Sequence, residues 1–123
     1  MEILLLLLFL QVKHYYADFV IQTYQQTVHK GIYRDPIGIS HTLDHIYASL
    51  LALLAFHLLV LPLAPLAIMI AAVVEGIAHY HIDWIKVRFG IKDQTKPLFW
   101  NQFGQDQLAH QITYLGMVVY LVR

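Results

Sequence analysis

The stretch IYASLLALLAFHLLVLPLAPLAIMIAAVV, residues 46 to 74, has one side chain that titrates near neutral pH, His57. At about 1.5 Å of rise per residue it is too long and too apolar to be a surface helix of a small soluble domain. Pro62 and Pro65 divide it, so it reads as the end of one membrane span and the start of the next. The whole chain agrees with this, being 59% hydrophobic and 13% charged. Soluble proteins run at about 45–50% apolar and about 25% charged. The formal net charge of zero removes any case for a nucleic-acid partner held by a basic surface. The absence of cysteine excludes disulfides, thiolate metal sites and cysteine nucleophiles.

Punctuation predicts four helices, at about 2–30, 36–61, 65–89 and 98–122, with Gly31 and Gly90 as stops and Pro36 and Pro65 as starts. The opening MEILLLLLFL has Glu2 where a secretory signal needs basic residues, so it is read as a retained span. The fold expected is all-α: one domain, residues 1–123, forming a polytopic four-helix transmembrane bundle. Lys30 and Arg34 lie between the first two helices, and Arg88, Lys92 and Lys96 lie at or between the last two. The positive-inside rule places these connections in the cytoplasm and both termini outside, in a multi-pass protein of the cell inner membrane; Arg123 alone dissents. Trp84, Phe89, Phe99 and Trp100 flank the second basic connection as interfacial aromatics would.

Every predicted span carries a polar stripe. In the first helix Gln11, His14, Asp18, Gln22, Gln25 and His29 recur at three or four residues and share a face. The second carries His41, Asp44 and His45, with Ser49 continuing that face; the third carries Glu75, His79, Asp83 and Lys86; the fourth carries Gln102, Asp106 and His110. Measured from the cytoplasmic helix ends, Asp18 and His79 lie roughly 16 Å deep, Asp83 and Asp106 roughly 10–12 Å, and His41 and His45 roughly 8–14 Å. The stripes therefore meet at one level, as a single cluster open towards the cytoplasm.

A carboxylate at mid-membrane costs roughly 2.5–3.5 kcal/mol, which several leucines are needed to offset. Imidazole and carboxylate at i, i+4 on inward faces is how helical bundles supply metal ligands. The candidate ligands are His14, Asp18, His41, His45, His79, Asp83, Asp106 and His110, supported by Gln22 and Gln107, for one or two divalent ions: zinc, manganese or iron. The competing reading is hydrogen-bonded glue between helices, which accounts for one pair easily and for a cluster poorly. His57 and His81 point off the stripes and read as packed or interfacial; His29 reads as a helix-end residue, and Gln25, Gln26 and Lys30 as solvated. HYYADF and HYHIDW both read His-x-x-x-Asp-aromatic, and HTLDH and DQLAH each offer a ligand pair four apart, which suggests two repeated helical hairpins.

The motifs His14-x-x-x-Asp18-Phe19-x-x-Gln22 with Lys30 downstream, His41-x-x-x-His45, His79-x-x-x-Asp83-x-x-Lys86 and Asp106-Gln107-x-x-His110 resemble a family of small bacterial and phage membrane proteins, domain of unknown function 3307. The resemblance spans nearly the whole chain and implies a polytopic membrane protein of unassigned activity. Asp44 and Glu75 fall outside its pattern. A looser similarity to membrane-bound metal-dependent hydrolases is analogy.

The leading expectation is a metal-dependent hydrolase acting on a lipid-like or phosphorylated substrate at the cytoplasmic leaflet. The ion would activate water, Asp44 or Glu75 would take the proton, and Lys86 would face the anion. Membrane lipid is the expected partner, and an oligomer is compatible with the composition. No Gly-x-Ser-x-Gly segment offers a serine nucleophile. The alternatives are a di-iron or haem redox protein, and a non-enzymatic membrane effector or proton path built on the buried Asp/His chain.

Overall fold

The computed structural model describes residues 1–123 and is all-helical. Helix α1 (Glu2–Tyr15) runs into a π-helical turn (Tyr16–Val20); α2 (Tyr24–His29), α3 (Pro36–Leu59), α4 (Pro65–Phe89) and α5 (Pro97–Leu121) follow. Proline opens each of the last three, where its missing N–H is no loss and its fixed φ suits the first turn. Asp35 caps α3, its Oδ1 accepting from the amides of Ile37 at 2.9 Å and Gly38 at 3.3 Å. His29, 3.0 Å from the same oxygen, and those two amides hold the Asp35 carboxyl below the ordinary carboxylate range. Between α3 and α4, His57 Nδ1 accepts from the Leu63 amide at 2.8 Å and closes the turn.

The predicted first helix, 2–30, is not continuous. Ile21 N–H bonds back five residues to Tyr16 O at 3.1 Å, and the chain leaves helical geometry before α2 begins. A capping box restarts it: Thr23 Oγ1 accepts from Gln26 N at 3.2 Å, while Gln26 Oε1 accepts from Thr23 N at 2.9 Å. The wider turn shifts the face. Beyond it the inward residues are Gln26 and Lys30, both buried, and Gln25 is exposed. The expectation of solvated Gln26 and Lys30 is thereby corrected, because it carried a 3.6-residue period through a π turn. Gly38 lets the end of α2 rest on α3, since a Cβ there would come to 3.0 Å from His29 O and Lys30 Cα.

Helix α1 packs against α3 and α5, and α4 packs against the same two, so the four long helices close a ring; α2 lies against α3. The outward surface is apolar, with Leu8, Leu51, Leu58, Met69, Val73, Leu115 and Val119 exposed. Three helical segments, Glu2–Val20, Pro36–Leu59 and Pro65–Phe89, are long and apolar enough to cross a membrane. Helix α5 is as long, but Asn101, Gln102, Gln105, Asp106 and Gln107 dilute its first half. Inside the ring the pattern inverts, for twelve of the 27 buried residues are polar or charged. An interior so polar beneath an apolar exterior is the reverse of a soluble core.

Candidate metal centre

Three helices present their polar side chains at strict intervals of four: His41, His45 and Ser49 on α3, Glu75, His79 and Asp83 on α4, Asp106, His110 and Tyr114 on α5. Residues four apart stand above one another on a helix, so each series forms a column. Helix α1 and its π turn complete the ring with Lys13, His14 and Asp18. The result is three stacked levels on the side of the two basic connections.

At the deepest level Glu75 Oε1 accepts from Lys13 Nζ at 2.9 Å and Tyr114 OH at 3.3 Å, and Oε2 accepts from Ser49 Oγ at 2.9 Å. Lys13 also donates to Tyr114 OH at 3.1 Å and faces His45 Nδ1 at 3.1 Å. Glu75, expected as a catalytic base, is the counter-ion of a buried lysine with both oxygens engaged.

The middle level centres on Asp18. Its Oδ1 lies 2.9 Å from His45 Nε2, 3.0 Å from His41 Nε2 and 3.5 Å from His79 Nε2, and its Oδ2 lies 3.3 Å from His14 Nε2. His41 Nε2 and His79 Nε2 are 3.3 Å apart, and the rings of His45 and His79 stack at 3.5 Å. The Gln22 amide meets His41 Nε2 at 2.7 Å, and His14 is held by Tyr114 OH at 2.9 Å and Gln107 Oε1 at 3.2 Å.

At the shallowest level Lys30 donates to Asp83 Oδ2 at 3.0 Å, and Lys86 donates to Asp106 Oδ2 at 2.9 Å. Gln107 Nε2 reaches the same Asp106 oxygen at 3.1 Å. His79 Nε2 is 3.1 Å from Asp83 Oδ2, and His110 Nε2 is 3.5 Å from Asp83 Oδ1.

All eight candidate ligands are therefore brought together, in three groups whose donor atoms lie within 4.8 Å of one another: Asp18/His41/His45/His79, His14/His79/His110 and Asp83/Asp106/His110. Their geometry suits an ion. Bonds of about 2.0–2.1 Å in a tetrahedron put neighbouring donors about 3.3 Å apart; the distances around Asp18 Oδ1 bracket that figure.

Two expectations need correction. The cluster is closed, not open towards the cytoplasm: the side chains of Asp18, His41, His45, His79, Asp83 and His110 are at most 7% exposed. Asp44 is not in it, because it lies one residue before His45 and turns to Gln26 Nε2 at 2.8 Å. It lines a groove of about 760 Å³ between α1 and α3, with Leu8, Val12 and Leu51 among its walls.

The sequence reading missed Lys13 and Tyr114 altogether. The signal for Lys13 was present, since it follows Leu6 and Leu10 by seven and three residues, on the face that packs inward. Tyr114 follows Asp106 and His110 on the same four-residue column. Gln11 pairs across the ring with Gln111. His81 and Tyr47 stay exposed, outside the cluster.

A family model described as a protein of unknown function (DUF3307) matches residues 4–122. No curated protein and no solved structure matches, so the looser similarity to membrane-bound metal-dependent hydrolases has no counterpart there.

Proposed function

The chain belongs to the DUF3307 family of proteins of unknown function, and from that premise we propose that it is a four-span integral membrane protein whose buried centre binds a divalent zinc, manganese or iron ion. Asp18, His41, His45 and His79 are the ligands of this reading, on the cytoplasmic side of an inner membrane, with both termini on the other side. The exposed Leu108, Ile112, Leu115 and Val119 give α5 an apolar outer face, which supports it as the fourth span.

One observation carries the reading. Of the four carboxylates in the cluster, Glu75, Asp83 and Asp106 each have a lysine within 3.0 Å, whereas Asp18, its side chain 7% exposed, is surrounded by imidazoles alone. A charge this deep in lipid needs a partner. Neutral imidazoles offer a single N–H each, and the close approach of His41 Nε2 to His79 Nε2 sets like atoms against one another unless a proton or a cation lies between them.

An ion in this cluster with a coordination position left free would act as a Lewis acid on a phosphoryl or carbonyl oxygen. The reaction class this suits is hydrolysis of a lipid-like or phosphorylated substrate, with Lys86, a quarter exposed at the rim, receiving the anionic group. Imidazoles stacked at 3.5 Å leave no slot for a macrocycle, which argues against haem.

A second reading, a metal-free polar centre serving a proton path or an effector, is favoured by Lys13. If His45 Nδ1 accepts from that ammonium, its proton sits on Nε2 and is given to Asp18. Ligation at Nε2 requires the other tautomer, with Nδ1–H turned towards Glu75 Oε1 at 3.7 Å.

Elemental analysis of the detergent-purified full chain separates the two. At least one ion per chain, lost in His41→Ala and His79→Ala, is expected, together with phospholipid or phosphomonoester hydrolysis that the same variants abolish. Folded protein that takes up no zinc, manganese or iron after exposure to each selects the second reading.

A further inference from the structure

The shallowest level has a feature that ion pairing does not explain. Asp106 Oδ1 and His110 Nε2 are both buried, and neither has a hydrogen-bond partner. Lys86 and Gln107 both take Asp106 by its Oδ2, and Lys30 takes Asp83 by its Oδ2, so each carboxylate keeps its Oδ1 for the side facing His110. His110 Nε2 stands 3.5 Å from Asp83 Oδ1 and 3.6 Å from Asp106 Oδ1. A buried donor or acceptor without a partner costs about 1–3 kcal/mol, and two aimed at one point are not expected from helix packing alone.

Asp83 looks both ways. Its Oδ2 is 3.1 Å from His79 Nε2 and 3.4 Å from His41 Nε2, two ligands of the Asp18 centre, while its Oδ1 faces the Asp106–His110 pair. A carboxylate placed between two donor sets in this way is the arrangement by which helical proteins hold two ions side by side.

We infer a second divalent-metal site, formed by Asp83 Oδ1, Asp106 Oδ1 and His110 Nε2 and joined to the first through the Asp83 carboxylate. The inference rests on the reading of the Asp18 centre as a metal site. The two sites differ in kind. The first has four protein donors and is closed; the second has three, which leaves a coordination position for water or substrate. Asp106 also lines a cavity of about 280 Å³ between α4 and α5, with Lys86, Gln102 and Gln105 in the same wall. Two carboxylates and one imidazole suit manganese, iron or zinc.

The test is reconstitution of the chelator-stripped full chain with manganese(II), read by ions bound per chain and by electron paramagnetic resonance. Two ions per chain with a spin-coupled signal is expected in the wild type. Asp106→Asn and His110→Gln, which nearly keep side-chain shape, should each bind one ion, with the six-line spectrum of an isolated manganese; circular dichroism confirms that they fold, and either alone suffices. One ion in the wild type, unchanged in both variants, overturns the second site and leaves the first standing. No ion in the wild type removes both.

Discussion

The interior has two halves that meet at Tyr114. Towards the α3–α4 turn lie Leu6, Leu10, Leu53, Phe56, Leu63, Ile68, Met117 and Leu121, a packed apolar core. Towards the basic connections lie five imidazoles, three carboxylates and two lysines that are as deeply buried, with Asp18 and Lys86 beside them. Tyr114 serves both, its ring in the apolar core and its hydroxyl on Glu75, Lys13 and His14. In the proposed membrane setting the apolar half would gain nothing from leaving water, because acyl chains are equally apolar, and it would be held by shape and dispersion. The polar half is held by the penalty of separating charges that have no other partner. The same ring of helices is thus tolerant at one end and exacting at the other.

The largest expected effect tests the exacting end. Glu75→Leu strands the Lys13 ammonium and should lower unfolding stability in detergent by about 3–5 kcal/mol, whereas the double variant Lys13→Met/Glu75→Gln should recover most of it. A loss in Lys13→Met/Glu75→Gln equal to the sum of the losses in Lys13→Met and Glu75→Gln would show that the pair is not coupled.

Leu53→Ala at the tolerant end should cost about 2 kcal/mol, the low side of the range for core truncations, because the transfer contribution is missing in lipid. Its metal content should equal that of the wild type; a parallel loss of ion would erase the distinction between the halves.

Tyr114→Phe probes the junction. It keeps the ring and removes one hydroxyl, so the expected loss is about 1–2 kcal/mol. Stability unchanged in this variant would mean that the hydroxyl is dispensable to Glu75.

The smallest effect lies outside both halves. The Asp35 carboxyl is held below its ordinary range chiefly by His29, so the folded state binds its proton more weakly than the unfolded chain. The cap's contribution is complete above the ordinary carboxylate pKa and is lost as pH falls through the depressed folded value. A thermal-melt series on wild type and Asp35→Ala should converge only at the acidic end; a gap that persists there contradicts the capping role.

How much of this was legible in the sequence differs from one feature to the next. The i, i+4 columns 41–45, 79–83 and 106–110 could be read directly, since residues four apart on an unbroken helix share a face whatever surrounds them. The first segment misled at Gln26 and Lys30, because the π turn at Tyr16–Val20 displaced everything after it by one residue. Lys13 stayed hidden as a lone charge beside a leucine run, although its spacing from Leu6 and Leu10 placed it inside.

Composition and periodicity by themselves determined an all-helical chain with an apolar exterior and polar stripes turned inward, because both act within a few turns of one helix. Which acid met a lysine and which met only imidazoles was settled by the tertiary structure alone. Lys13 and Glu75 are 62 residues apart, Lys30 and Asp83 are 53, and His14 and Tyr114 are 100. No local pattern encodes such pairings; they follow from how four helices close into a ring, and they leave Asp18 as the one carboxylate of the cluster with no lysine.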